Sequence, residues 1–301
     1  MKDSVLVTLA DSNFLEHAKQ LFGSAHRRGS WQGDYCLIAY EVPENAPELQ
    51  WFNEKNIFIH HVSNFLSIRG SIYSHPSVLG KFYLLTPFFR QWQHIVFLDA
   101  DTMVRSSLQE LSKLKGFWAT EDMNAAPLSH QFTHPFFEPK KWDGQKQICF
   151  QNLTSKFDLR QRSFNTGVFT FSSDIIKDNS FDICSALISD FAILSKYGEQ
   201  PIFNLYFYRN WGLLPETYNH FVPVSLSPEK TKEIMEKVER EGFSAIDTMA
   251  KEQNDIPTYS PKDFSQAVLH FAGFAVKPWK KESPFYDEWM ENLKEAENIH
   301  I

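Results

Sequence analysis

Two carboxylates, Asp99 and Asp101, follow the apolar run Ile95-Val96-Phe97-Leu98. Such a run reads as a strand buried on both faces of a parallel sheet, and residues two apart in a strand point to one side. The pair therefore presents two hard oxygen donors at the edge where open α/β sheets bind ligands. Carboxylates held this close repel each other unless a cation lies between them. A divalent ion, Mn²⁺ or Mg²⁺, suits the oxygen set.

Three further clusters could complete such a site. Phe164-Asn165-Thr166-Gly167-Val168 puts an amide and a hydroxyl in a polar turn ahead of an apolar strand, with Gly167 permitting close backbone approach. Gly198-Glu199-Gln200-Pro201 sets a carboxylate and an amide at the start of a helix. The stretch His270 to Trp279 joins an imidazole to Gly273 and Lys277. A neutral imidazole can complete a metal site begun by two acids. Gly273 lets a backbone amide near a phosphate, and Lys277 supplies a compact positive charge. Metal and lysine together are what stabilises a departing diphosphate.

The elements that must position these groups are legible in outline. Strand signals cover 5–9, 34–40, 57–62 and 95–99, and helix signals cover 13–24, 46–55 and 79–91. That alternation predicts an α/β fold with a mostly parallel sheet and right-handed crossovers. No glycine-rich phosphate loop follows the first strand; Leu9-Ala10-Asp11-Ser12-Asn13 offers polar groups and a helix start instead. Residues 123–162, rich in proline, histidine and aromatics, read as a long excursion with little regular structure that walls the substrate. A strand over 164–171, a helix over 182–195, a charged exposed helix over 227–240 and a last amphipathic helix over 283–289 follow. No repeat or low-complexity linker divides the 301 residues, so one domain is expected, with a nucleotide-binding half (1–120) and an acceptor-side half (121–301) that has insertions near 123–162 and 227–264.

Composition narrows the partners. A formal net charge of −7 with no dominant basic run argues against nucleic acid and gives no pull toward an anionic membrane. No apolar stretch is long enough to span a bilayer. Three widely spaced cysteines, Cys36, Cys149 and Cys184, cannot all pair within one chain and favour a reducing, cytoplasmic setting. The amino terminus passes straight into Val5-Leu6-Val7-Thr8-Leu9, which is too short for a signal-peptide core.

Taken in order, Val7-Thr8-Leu9, Phe97 to Thr102, Phe164 to Val168, Glu199-Gln200, Trp211 with Leu214-Pro215 and Tyr218-Asn219, and His270 to Trp279 span the chain. This ordered set resembles glycosyltransferase family 8, which includes glycogenin-like and bacterial lipooligosaccharide galactosyltransferase-like enzymes. The resemblance implies a GT-A fold, a UDP-sugar donor, Mn²⁺ (or Mg²⁺) and retention of anomeric configuration. It implies that Asp99, Asp101 and His270 bind the metal. Thr8, Leu9, Ser12 and the Ala100 backbone would line the uridine, Lys81 would lie near the donor, and Asn165 and Thr166 would face its sugar. Glu199 and Gln200 would flank the anomeric carbon, with Gly273 and Lys277 on the diphosphate. The family usually has Asp where Glu199 stands and Asn where Ser12 stands, and Arg69 is the one candidate for its donor-contacting arginine before the acidic strand. The sugar and the acceptor stay open, as do self-glycosylation and a homodimer.

Two other readings compete. Asp99-Ala100-Asp101-Thr102 also spells the Asp-x-Asp-x-Thr signature of haloacid dehalogenase-like phosphatases, with Asp99 as nucleophile. That motif normally opens its chain, whereas here three strands precede it. The other is a catalytically silent nucleotide-sugar-binding protein on the same scaffold.

Overall fold

A computed structural model describes residues 2–66, 76–122, 127–132, 143–195, 197–222, 264–273 and 277–300. The amino-terminal part runs β1 (Lys2–Ala10), α1 (Leu15–Arg27), β2 (Asp34–Tyr40), α2 (Gln50–Glu54), β3 (Phe58–Val62), two 3₁₀ segments (Pro76–Leu85 and Pro87–Gln91) and β4 (Trp92–Leu98). Next come β5 (Thr102–Val104), β6 (Phe117–Glu121), α3 (Gly144–Lys156), β7 (Phe164–Ser172), α4 (Ser180–Phe191) and α5 (Gln200–Tyr206). The chain ends through β8 (Gly212–Leu213), β9 (His220–Phe221), β10 (Val268–His270) and α6 (Tyr286–Ala296).

Seven strands form one sheet in the order β3-β2-β1-β4-β7-β6-β8. The pairings β3–β2, β2–β1, β1–β4 and β6–β8 are parallel, and β7 lies antiparallel to both β4 and β6. The fold is thus α/β with a mostly parallel sheet, as expected. Alternation along β1 sends Val5, Val7 and Leu9 into one core with Phe82, Phe97 and Phe169, and Leu6 and Ala10 into the other with Leu21, Phe22 and Val96. Both faces are covered, which is why these strands read as continuous apolar runs.

A second, three-stranded sheet in the order β5-β10-β9 crosses the carboxyl end of β4. Its own core gathers Met103, Leu269, Phe271, Phe285 and Trp289. α6 packs on α1 so closely that a Cβ on Gly23 would lie 2.0 Å from the Asn292 carbonyl oxygen.

Several expected elements differ. The helix expected over 79–91 is two 3₁₀ segments, because Pro87 forces Thr86 into an extended conformation (φ −90°, ψ 159°). The excursion over 123–162 contains a 13-residue helix, α3, whose start is capped by the Asp143 carboxylate accepting from the Lys146 N–H at 2.9 Å. Asn165, Thr166 and Gly167 lie within β7 and not in a turn before it. The helix expected over 227–240 lies outside the described residues.

Candidate active site

β4 ends at Leu98, and Asp99-Ala100-Asp101 is a turn and not the end of a strand. The Thr102 N–H and hydroxyl both donate to the Asp99 carbonyl, at 3.1 and 2.7 Å, and close that turn. The Asp99 N–H donates to the Gly167 carbonyl on β7 at 2.7 Å. The two carboxylates therefore converge through the turn, not through the strand alternation expected from sequence. β5 then pairs antiparallel with β10 and sets Thr102 opposite His270. Leu269 and Phe271 point into the small core, so the imidazole between them points the other way, at the acids.

His270 is 4% exposed, with Nε2 3.4 Å from Asp101 Oδ1 and 3.9 Å from Asp99 Oδ2. Its Nδ1 lies 2.9 Å from Asn219 Oδ1. An amide oxygen only accepts, so this bond puts the proton on Nδ1 and leaves the Nε2 lone pair facing the carboxylates. The Asn219 amide is itself oriented, because its Nδ2 donates to Asn165 Oδ1 at 2.8 Å. The ligand atoms of Asp99, Asp101 and His270 all lie within 4.8 Å of one another. Two carboxylates, one correctly protonated imidazole and an amide behind it make a donor set that fits a divalent cation of the Mn²⁺ class. Gly167 makes room for the ring: a Cβ there would sit 2.2 Å from His270 Cε1.

Beneath the acids lies a buried polar floor. Lys81, 3% exposed, places Nζ 2.8 Å from Asp99 Oδ1 and 2.7 Å from Glu199 Oε1, and donates to the Thr166 carbonyl at 3.1 Å. Burial alone would discharge this ammonium, but the two carboxylates outweigh it and raise its pKa above the usual lysine value. For Asp99, burial dominates and pushes its pKa up to about 6, with Asp101 and Glu199 adding to the rise and Lys81 and His270 opposing it. Burial also works against the charge on Asp101, yet His270 in its protonated form and the Lys277 ammonium hold that carboxyl well below the usual range.

Glu199 caps the start of α5 and accepts from the Thr166 hydroxyl at 2.9 Å. Gln200 Oε1 accepts from Asn165 Nδ2 at 2.8 Å and from the Thr166 N–H at 3.1 Å, while its Nε2 donates to Asp122 Oδ2 at 2.6 Å. Gly167 N–H donates to Asn165 Oδ1 at 2.8 Å. Asn165, Thr166, Glu199 and Gln200 thus form one network under the acidic turn.

Lys277 Nζ stands 3.6 Å from Asp101 Oδ2 and also donates to the Phe271 carbonyl. Gly273 has φ +57°, and among the described residues nothing lies near where a side chain would project. The β1–β4 ladder stops at Val7–Phe97 while β1–β2 continues to Ala10–Ala39, so Thr8, Leu9 and Ala10 run past the last β4 pairing toward the same edge. The Thr8 side chain is wholly buried, and Leu9 packs in the core against Gly80; what these two present at that edge is backbone. Ala100 is buried within the turn and Ser12 is exposed just ahead of α1. Arg69 lies outside the described residues.

Sequence reasoning assigned no role to Asn219 or Asp122, each one bond removed from a site residue. Asn219 stood among the quoted family matches, and a polar residue beside an imidazole partner would have been its only signal. Asp122 gave none, since it follows β6, a strand too short to show periodicity.

Residues 6–283 match the family described as Glycosyl transferase family 8. No curated protein sequence matches the chain. Among solved structures, the galactosyltransferase LgtC in complex with donor and acceptor sugar analogues is 16% identical with a TM-score of 0.59, over 96% of this chain and 95% of LgtC. The bifunctional glycosyltransferase WbbM, without ligand, is 16% identical with a TM-score of 0.60; the match covers 99% of this chain and 52% of WbbM, so this chain spans about half of that length. GlyE of Streptococcus pneumoniae TIGR4 is 13% identical with a TM-score of 0.54, over 99% of this chain and 63% of GlyE. At these identities the likeness shows a shared GT-A fold, while the family match reaches from β1 to just short of α6. The chain belongs to glycosyl transferase family 8, a family of glycosyltransferases.

Proposed function

We propose that this protein transfers a hexose from a UDP-sugar to a hydroxyl acceptor, with a bound divalent cation and retention of anomeric configuration. The convergence of Asp99, Asp101 and His270, with Lys277 beside them, is the observation that carries this reading. Asp99, Asp101 and His270 would hold Mn²⁺ or Mg²⁺, which supplies positive charge to the donor diphosphate. Thr8, Leu9, Ala100 and Ser12 lie on the side where the uridine would rest. Lys277 neutralises charge that develops on the leaving phosphate oxygen, and the backbone at Gly273 lets the diphosphate come near.

The polar floor bears on the stereochemical route. A double displacement needs a carboxylate or amide oxygen free to attack the anomeric carbon. Gln200 Oε1 is held by the Asn165 and Thr166 donors, and Glu199 Oε1 is held by Lys81 and Thr166. These bonds hold the Gln200 amide oxygen in place and tie the Glu199 carboxylate to an ammonium, which weakens both as nucleophiles. A front-face route fits better: the bond from the anomeric carbon to the phosphate oxygen breaks, and the acceptor hydroxyl attacks from the same face. Its proton passes to the departing phosphate oxygen. Asn165, Thr166, Glu199 and Gln200 then position the sugar.

The three free cysteines support a cytoplasmic setting. Among the described residues, no helix is long and apolar enough to cross a membrane. Residues 1–301 would form one GT-A unit. The test is turnover of UDP-glucose, UDP-galactose, UDP-N-acetylglucosamine and UDP-glucuronate with and without Mn²⁺. At least one should release UDP in a metal-dependent way. Turnover of none of them, with hydrolysis of a simple phosphate ester instead, would refute the reading.

A further inference from the structure

Beyond the catalytic floor, the carboxyl edge of the sheet continues into two adjoining clefts of about 620 and 220 Å³ that share Tyr208 and Arg209. They lie on the far side of β4 from β1, along β7, β6 and β8, hence opposite the side proposed for the nucleotide. Two elements tie them to the site. The segment leading into β7 runs from Gln161 and Arg162, in the smaller cleft, to Asn165 in the floor. α5 runs from Gln200 to Tyr206, about 9 Å at helical rise, and the turn after it carries Tyr208 and Arg209. Asn204, midway, lines the smaller cleft and pins Phe164 by accepting from its N–H at 2.8 Å and donating to its carbonyl at 2.9 Å.

The chemistry of these clefts differs from the rest of the protein. In a chain of net charge −7, Lys156, Arg160, Arg162 and Arg209 gather here against two carboxylates, Asp158 and Glu121. Arg160 and Arg209 share Asp158, at 2.8 and 3.7 Å, so one carboxylate serves two guanidinium groups and their remaining N–H groups face outward. Arg160 and Arg209 are largely exposed. The Arg209 backbone sits in the left-handed region at φ 59°, a conformation unfavourable for a non-glycine residue that fixes where its side chain departs. Aromatic rings stand among the charges: Tyr208 packs edge-on against Phe157 at 5.2 Å with the Arg209 guanidinium 5.1 Å from its ring centre, and Trp211 packs against Phe164 at 5.2 Å with Arg162 6.0 Å from its ring centre. Guanidinium forks recognise phosphate and carboxylate, and aromatic walls suit the apolar faces of sugar rings.

We propose that this double cleft binds the remote part of the acceptor, a glycan carrying phosphate or carboxylate groups. Arg160, Arg209 and Lys156 take the anions, Tyr208 and Trp211 stand beside the sugars, and the acceptor's reactive end points toward Asn165, the half-exposed residue of the floor on this side. This inference rests on the glycosyl-transfer reading.

Its test uses the full chain and the double variant Arg160→Gln/Arg209→Gln. Three probes are titrated calorimetrically: a phosphorylated mannose oligosaccharide, a uronate-containing hyaluronate oligosaccharide and neutral maltohexaose. At least one anionic glycan should bind wild type, more weakly as salt rises, and roughly tenfold or more weakly to the double variant. The stronger of the two anionic arms names the anion. UDP binding with Mn²⁺, and UDP-sugar hydrolysis without acceptor, should be equal in both proteins. Binding by neither anionic glycan, equal affinity in the double variant, or equal affinity for maltohexaose would overturn the proposal. Loss of UDP binding in wild type would instead refute the glycosyl-transfer reading, which the UDP arm reads separately.

Discussion

Gly167→Ala adds one methyl group and should dismantle the metal centre without dismantling the fold. The new Cβ would stand 2.2 Å from His270 Cε1 and 2.6 Å from Nδ1, whereas ordinary contact begins near 3.4 Å. The ring must therefore retreat by about 1.2 Å, since β7 is locked between β4 and β6 and cannot give way. Metal bonds tolerate about 0.2 Å of error, so a shift of this size removes the imidazole as a ligand. It also breaks the Asn219 bond that sets the tautomer. Removing only an outer partner costs about 10–100-fold in metal affinity, and displacing the ligand itself should cost at least the upper figure, about 3 kcal/mol. Calorimetric titration of Mn²⁺ into the variant reads the affinity, and circular dichroism without metal reads the fold. A Mn²⁺ affinity within about twofold of wild type, in a folded variant, would refute the reasoning.

Three further outcomes follow from the same geometry. Asn219→Leu should weaken Mn²⁺ binding about 10–100-fold while Asn219→Asp, which still accepts from Nδ1, recovers most of it; the same titration checks both. Lys81→Met strands the Asp99 and Glu199 carboxylates in a buried setting and should cost about 3–5 kcal/mol in urea unfolding, part of which Glu199→Gln restores in the double variant. Burial lowers both His17 and His60 to about 4, so below pH 6.5 the unfolded chain binds protons that the folded chain refuses. Stability is then intact above pH 6.5 and falls toward pH 4 by up to about 3 kcal/mol for each histidine. Denaturation at pH 7 and 5 measures the loss, and His17→Phe should flatten its share.

The half of the fold that carries the nucleotide side was legible because its strands are covered on both faces and α1 is long enough to show a period. β2 spans 34–40 as the sequence predicts, and β1 and β4 overlap their predicted runs within a few residues. The small sheet was not legible: β5, β9 and β10 are two or three residues long, too short for any periodicity, and they exist through pairing across distant parts of the chain. That sheet is nevertheless what carries His270 to the acids. The three side chains that the sequence singled out do come together, but by a route it did not predict. Asp99 and Asp101 meet through a turn closed by Thr102, and Gly167 is small for the sake of the imidazole, not of a ligand. Asn219 and Asp122 escaped notice because they touch the site only through other side chains.

The central claim is that Asp99, Asp101 and His270 share one cation under the donor diphosphate. Crystals grown with UDP and Mn²⁺, measured for manganese anomalous scattering, test it most directly. A single strong peak bonded to both carboxylates and to His270 Nε2, with the UDP phosphates on its open side, is the expected result. Manganese bound elsewhere, or UDP bound with His270 turned away from the acids, would contradict the account.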